Sequence, residues 1–129
     1  QFSDFQHACE VRAQHLIDSN RLANLERANY RRTMLELEAA IPRDRIKYVF
    51  YEDLFHARTM RDICTFLEIA PLTPKAGLRS NTGRHAMLPE VLKEQFRHAF
   101  FAQYAFILDR FKSATPARWH INFSPQGMG

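Results

Sequence analysis

Two adjacent carboxylates, Glu52 and Asp53, are the first residues of this 129-residue chain whose types suggest chemistry. They directly follow the apolar run IKYVFY, residues 46–51. Two carboxylates can share a proton or hold a cation when both point into one site. Successive strand residues point to opposite faces, so a continued strand would separate these side chains. We therefore predict that the pair marks the passage from strand to helix, where Asp53 accepts backbone hydrogen bonds as a cap.

Histidine and cysteine offer no clearer site. The six histidines are spread over predicted helices and loops without a well-placed carboxylate: His7, His15, His56, His85, His98 and His120. Cys9 and Cys64 lie on the apolar sides of helical patterns, which favours small core residues over a disulfide or a metal pair. We therefore predict no catalytic residue and no metal ligand, and a reducing compartment, the cytoplasm.

A polar loop is the other candidate for binding. Residues 69–87 contain two prolines and two glycines, and long loops in compact domains are often functional. Ligands of open α/β sheets collect beyond the carboxyl ends of the strands. Tyr51, at the end of the apolar run, is therefore placed to contact a ligand.

The elements that would position these residues are mostly helical. Ser3 and Gln6 form a capping box that predicts a first helix over 3–19. A second predicted helix covers 24–41 and stops because Pro42 disfavours a helical conformation at the residue before it.

Two further helices follow the apolar run. The third has an amphipathic stripe at helical spacing, formed by Met60, Ile63, Cys64 and Leu67. Pro89 opens the fourth, over 89–111, at its first turn. Its apolar face is traced by Leu92, Phe96, Ala99, Phe100, Gln103, Phe106, Ile107 and Phe111. The tail from Lys112 onward is predicted to be irregular.

Residues 46–51 are the exception to the helical pattern. Both faces of this run are apolar, which is typical of a buried parallel strand covered on each side. The chain has no second segment of comparable quality, so we expect its sheet partners outside these 129 residues or in a second chain. The fold prediction is a mostly α chain with one buried strand near 46–51. By length, residues 1–129 are predicted to belong to one domain.

The charge balance limits the partners. Lysine and arginine number 18 and aspartate and glutamate 14, which gives a net charge of +4. This mild, scattered excess fits an anionic ligand such as a nucleotide and does not predict nucleic-acid binding. No run approaches the roughly 20 apolar residues that a membrane span needs.

The stretch YVFYEDLFHARTMRDICTFLEI resembles the C-terminal half of 3′-phosphoadenosine-5′-phosphosulfate-dependent sulfotransferases. ANYRRTMLELEAAIPRDRIKYVFYEDL is similar to the helix, turn and strand of bacterial and carbohydrate-type members. RSNTG, LPEVLKEQF and TPARW are similar to the later loop, last helix and ending. The resemblance runs from near Ala28 to near Phe123. Glu68 departs from it, because the family usually has glycine there, and we expect this helix end to lack its usual cap.

The resemblance implies an α/β, P-loop-like fold with a parallel sheet flanked by helices, of which residues 1–129 would be the C-terminal part. It implies transfer of a sulfuryl group from the phosphosulfate co-substrate to an acceptor alcohol or amine. Tyr51 matches the tyrosine that contacts the adenine, the alternative being a core tyrosine with a backbone partner. The resemblance also implies nucleotide contacts in the polar loop from Ser80, Asn81 and Thr82, and phosphate contacts from Arg79 and Arg84. Turn formation and solvated arginines are the alternatives there.

The parts of the family that perform the chemistry are missing from this sequence. It has no Gly-rich phosphate loop and no evident base, so we expect the isolated chain to be inactive without an N-terminal half, in cis or on another chain. The rival interpretation is a small helical protein-interaction module that uses its Phe-rich face.

Overall fold

The computed structural model describes residues 2–19, 21, 26–73, 75, 77 and 83–123. The α-helices of these ranges are α1 (Phe2–Asp18), α2 (Tyr30–Ala40), α3 (Ala57–Leu67), α4 (Glu90–Ala99), α5 (Phe101–Phe111) and α6 (Ala117–Phe123). Single 3₁₀ turns are formed by Glu26–Ala28, Arg43–Arg45, Tyr51–Asp53 and Lys112–Ala114. The prediction of a mostly α chain is confirmed. None of the described helices has the length and hydrophobicity needed to cross a bilayer.

The chain divides into two compact units. The first comprises Gln1–Met34 and Gly83–Gly129, and the second comprises Leu35–Thr82. That both units belong to one larger domain stays a prediction.

The first unit is built from packed helices. α1 packs against α4, α4 against α5, and α5 against α6. The buried apolar residues of this unit are Ala13, Met34, Leu92 and Ile107. The predicted first helix is confirmed to within a residue at each end, because a local apolar stripe specifies it. The helix begins at Phe2 and the Gln6 amide bonds Met87, so the predicted capping box does not form its start.

The predicted helix over 89–111 is interrupted at Phe100. Its backbone (φ −102°, ψ 11°) leaves the helical region, and the chain continues as α5. The prediction of an irregular tail is wrong for residues 112–123, which form a 3₁₀ turn and α6. The physical reason is Trp119, whose ring packs edge-on against Tyr104 of α5 at 5.4 Å between ring centroids.

The second unit contains α3, whose Cys64 is 2% exposed and is the most buried side chain of its stripe. Glu68 ends this helix in the left-handed conformation (φ 56°, ψ 38°). Its N–H donates to Thr65 O at 3.1 Å, and the Ile69 N–H donates to Cys64 O at 3.0 Å. This is the Schellman pattern. The expectation that Glu68 leaves the helix end uncapped is therefore wrong.

The predicted strand near 46–51 is not formed within the described part of the chain. Residues 46–50 have no regular secondary structure, and Tyr51 begins a 3₁₀ turn. The backbone is nonetheless extended at Ile46 (φ −120°, ψ 128°) and at Phe50 (φ −77°, ψ 140°). A strand requires a hydrogen-bonded neighbour, and no second strand occurs among the described residues. Burial on both faces is also wrong here, because Val49 is 37% and Tyr51 is 74% exposed.

Candidate functional site

Segment 46–51, whose backbone is extended at Ile46 and Phe50 and turns at Tyr51, presents two different faces. Every second side chain is buried or half-buried, namely those of Ile46, Tyr48 and Phe50. The others are exposed, namely those of Lys47, Val49 and Tyr51. This period of two is that of a strand. The side chains of this segment therefore alternate like those of a strand with one packed face. No strand among the described residues pairs with it.

A cluster of three side chains holds the packed face of this segment. The Tyr48 hydroxyl donates to Glu38 Oε1 at 3.0 Å, and Arg43 Nε lies 3.6 Å from the same oxygen. The Arg43 guanidinium stacks over the Tyr48 ring at 5.0 Å and donates through Nη1 to Ile46 O at 3.1 Å. Because Glu38 is mostly covered, its carboxylate requires these donors. The cluster fixes the path of the chain towards Tyr51.

Tyr51 itself faces outward. Its ring meets that of Phe55 edge to face, with centroids 5.8 Å apart and planes at 90°. In the described structure its hydroxyl has no protein partner, and the interpretation as a core tyrosine is excluded by its exposure. The ring and hydroxyl are available to a ligand.

The acidic pair lies in the 3₁₀ turn that follows. The Asp53 N–H donates to Phe50 O at 3.1 Å, and Asp53 Oδ1 lies 3.8 Å from His56 Nδ1. α3 begins only after His56, which occupies the N-cap position and whose side chain makes no cap hydrogen bond. The prediction that Asp53 caps the helix is therefore wrong. In the described ranges no group of three or more histidine, cysteine, aspartate or glutamate side chains is arranged to hold a metal ion.

Arg84 belongs to the first unit, whereas Tyr51 belongs to the second. The Arg84 guanidinium stacks over the Phe5 ring of α1 at 5.7 Å. Stacking uses its face and leaves the N–H donors at its edge open to an anion. The remaining predicted nucleotide contacts, Arg79, Ser80, Asn81 and Thr82, lie outside the described residues.

α1 also holds the chain just after Arg84. The Met87 N–H donates to Gln6 Oε1 at 3.0 Å, and Gln6 Nε2 donates to Met87 O and to Glu10 Oε1. The Gln6 amide thus pairs with a backbone peptide much as a neighbouring strand would. The sequence predicted that the Gln6 side chain takes part in a capping box at the start of α1. In the structure its amide makes this long-range contact instead.

A cavity that the sequence did not predict lies in the first unit. It has a volume of about 260 Å³ and is lined by Ala28, Tyr30, Phe100, Gln103, Tyr104 and Trp119. It forms because the chain turns at Phe100 and because α6 brings Trp119 onto α5. Neither event was expected from sequence. A proline three residues before the single tryptophan was the available signal for α6.

A second cavity, of about 180 Å³, shares Phe100 and Tyr104 as walls and is also bordered by Lys93 and Arg97. Arg97 Nη1 lies 2.8 Å from Glu90 Oε1 and 3.0 Å from Glu94 Oε1, and Lys93 Nζ lies 3.3 Å from Glu90 Oε2. The hydrogen bond from Arg97 lowers the pKa of Glu90, and the same bond raises the pKa of Arg97. Both cations are therefore neutralised by carboxylates, and the cavity carries no excess positive charge for an anion.

Comparison with known proteins identified no relative of this chain. A scan against protein-family models, a search of curated proteins and a search of solved structures each found no match. The functional interpretation therefore depends on the residues and geometry described above.

Proposed function

We propose that this chain is the C-terminal part of a 3′-phosphoadenosine-5′-phosphosulfate-dependent sulfotransferase-like domain and supplies the adenine side of its nucleotide pocket. The observation that carries the proposal is segment 46–51. It is extended, anchored on one face and exposed on the other, and it ends on the outward-facing Tyr51.

The segment has the features of a strand that lacks its neighbours. Backbone N–H and C=O groups of an extended chain are satisfied most fully by an adjacent strand. A parallel strand from the remainder of the domain would pair with 46–50 and cover Val49, which is 37% exposed for an apolar residue. Tyr51 would then stand at the carboxyl end of a sheet strand, where nucleotides bind in open α/β folds.

The residues present in this chain determine which part of the proposed active site it would supply. The sulfuryl group would pass in line from the phosphosulfate to an acceptor hydroxyl or amine, with release of 3′-phosphoadenosine 5′-phosphate. Catalysis of this kind relies on positioning and charge stabilisation. This chain would contribute Tyr51 to the adenine. The phosphosulfate loop and the base would come from the other part of the domain.

Calorimetry on the isolated 129-residue chain is the first test. We expect 3′-phosphoadenosine 5′-phosphate to bind too weakly to measure, and no sulfuryl transfer. Charge-assisted hydrogen bonds to phosphate are worth about 1.5–3 kcal/mol each, and loss of three of them weakens binding by roughly 5–9 kcal/mol. Low-micromolar binding by the chain alone would contradict the proposed division of the site.

Reassembly is the second test. The chain would be mixed with the N-terminal half of a sulfotransferase of the same branch, and hydrogen exchange of residues 46–50 would be measured. We expect these amides to become protected and nucleotide binding to appear. Tyr51→Ala should then weaken binding about tenfold or more, since stacking on a base is worth about 1–3 kcal/mol. Leu72→Ala, a matched control in the same unit that is 59% exposed, should not. If the complex with Tyr51→Ala binds the nucleotide as tightly as the unchanged complex, Tyr51 does not contact the adenine.

A helical protein-interaction module remains the second candidate. The second unit exposes several large apolar side chains, namely Phe55, Leu67, Ile69 and Leu72, at 62%, 55%, 48% and 59%. Such a module would fold by itself and bind a protein partner. The amides of residues 46–50 would then not become protected from hydrogen exchange when the N-terminal half of a sulfotransferase is added.

A further inference from the structure

We propose that the aromatic cavity of the first unit binds a quaternary ammonium group. Four of its lining residues are aromatic, Tyr30, Phe100, Tyr104 and Trp119, and we refer to Tyr30, Tyr104 and Trp119 as the aromatic cage. This inference is independent of the proposed sulfotransferase function, because the cage involves neither segment 46–51 nor the loop before Arg84.

The arrangement of the rings favours a rounded ligand. The Tyr30 and Trp119 rings lie 6.2 Å apart with their planes at 48°, and the Tyr104 and Trp119 rings lie 5.4 Å apart at 61°. A flat ligand can stack on only one of several tilted rings. A trimethylammonium group is nearly spherical, so its methyl groups can contact several rings at once. The cavity volume of about 260 Å³ leaves room for such a group.

The electrostatics favour a cation without N–H donors. The faces of aromatic rings carry negative potential, and quaternary ammonium ions are held by this potential in aromatic cages. None of the six lining residues is charged. The Gln103 amide on the wall is already engaged, because its Oε1 accepts from Arg31 N at 3.0 Å and its Nε2 donates to Asn29 Oδ1 at 3.1 Å. A primary ammonium needs acceptors for three N–H groups and would lose strong partners in this cavity, whereas a quaternary ammonium loses none.

The cage is accessible and partly shielded, as a cation site requires. Tyr30 is 48% exposed, whereas Tyr104 and Trp119 are half-buried. Partial removal of water strengthens the attraction between a cation and an aromatic face. The adjoining cations Lys93 and Arg97 do not oppose entry, because each is paired with a carboxylate.

The experiment is a titration of the 129-residue chain with choline, followed by the fluorescence of Trp119, the only tryptophan of the chain. The matched control ligand is the uncharged isostere of choline, in which a carbon atom replaces the nitrogen. We expect a saturable change in emission with choline at about millimolar Kd and at least tenfold weaker binding of the isostere. Equal binding of the two ligands, or no saturable change with choline, would overturn the proposal.

A pair of variants tests the cage itself. Tyr30→Leu removes the half-exposed ring, and Tyr30→Phe keeps the ring and removes only the hydroxyl. We expect the leucine variant to bind choline about tenfold more weakly and the phenylalanine variant to bind within twofold of the parent chain. Circular dichroism establishes that both variants are folded. A leucine variant that binds as tightly as the parent chain would show that the Tyr30 ring does not hold the cation.

Discussion

The side-chain amide of Gln103 donates to Asn29 Oδ1 at 3.1 Å and thereby joins α5 to the residue that caps α2. Gln103 Oε1 accepts from the N–H of Arg31 at 3.0 Å, and Asn29 Oδ1 accepts from the N–H of Arg32 at 3.2 Å. Two of the N–H groups that a helix start leaves without intrahelical partners are therefore satisfied. This explains why a glutamine interrupts the apolar face of α5.

Replacing Gln103 by leucine should lower the free energy of unfolding by about 1 kcal/mol, the scale of a lost cap or of one net hydrogen bond. Asn29→Ala should have a similar cost. Because the two side chains share a hydrogen bond, the double variant should cost less than the two single changes together. Urea denaturation of the four proteins measures this coupling. Strictly additive effects would mean that the amide pair does not act as one cap.

Replacing Glu68 by glycine should stabilise the second unit. A left-handed conformation costs an ordinary residue about 1–2 kcal/mol, whereas glycine adopts it freely but loses more chain entropy on folding. We expect a net gain of about 0.5–1 kcal/mol. Glu68→Ala is the matched control, because it removes the carboxylate and keeps the Cβ atom. Thermal unfolding should rank glycine above glutamate and leave alanine near the parent chain. A glycine variant no more stable than the alanine variant would contradict the assigned conformation.

Replacing Thr115 by valine should also stabilise the protein. Thr115 is 4% exposed, and its Oγ1 has no hydrogen-bond partner in the described structure. A buried polar atom without a partner costs about 1–3 kcal/mol, and valine has nearly the same shape without the hydroxyl. We expect a gain of about 1 kcal/mol in denaturant unfolding. Thr115→Ser keeps the hydroxyl and removes the methyl group, so it should destabilise. A loss of stability in the valine variant would show that the hydroxyl has a partner.

The Glu90 carboxylate should make stability depend on pH in the acid range. The hydrogen bond from Arg97 lowers the pKa of Glu90 from its ordinary value of 4.5. A carboxyl group whose pKa is lower in the folded state contributes stability above its unfolded pKa, and this contribution is lost as pH falls through the folded pKa. Unfolding midpoints measured from pH 7 downward should therefore decline below about pH 4.5, and Glu90→Gln should flatten that decline. An identical decline in the glutamine variant would assign it to other carboxylates.

The positions of the helices could be predicted from sequence where the determining contacts are local. α1 follows from its apolar stripe, and α3 follows from apolar residues spaced three and four apart around Cys64. The end of α2 before Pro42 follows from the steric effect of proline on the preceding residue. Each of these signals acts within a few turns of one helix, so no knowledge of the rest of the chain is needed.

The candidate site could be predicted only in part. Tyr51 was predicted from its place at the end of an apolar run; its side chain is 74% exposed, and its role in binding stays a prediction. The cap assigned to Asp53 was wrong, because five residues, 52–56, lie between Tyr51 and the start of α3 at Ala57. Where a short turn intervenes, a residue's distance along the chain does not predict which N–H groups it can reach.

The amino-acid sequence by itself determined the helical character of this chain, the extent of α1 to within a residue, the apolar stripe of α3 and the extended backbone at Ile46 and Phe50, because these depend on neighbours within a few residues. Only the tertiary structure decided whether segment 46–51 pairs as a strand, where the chain turns at Phe100, that Trp119 lies on α5, and that Gln103 caps a helix more than seventy residues away in sequence. These features depend on contacts between distant residues. Such contacts form only when the helices have packed, and the pattern of any one segment does not contain them.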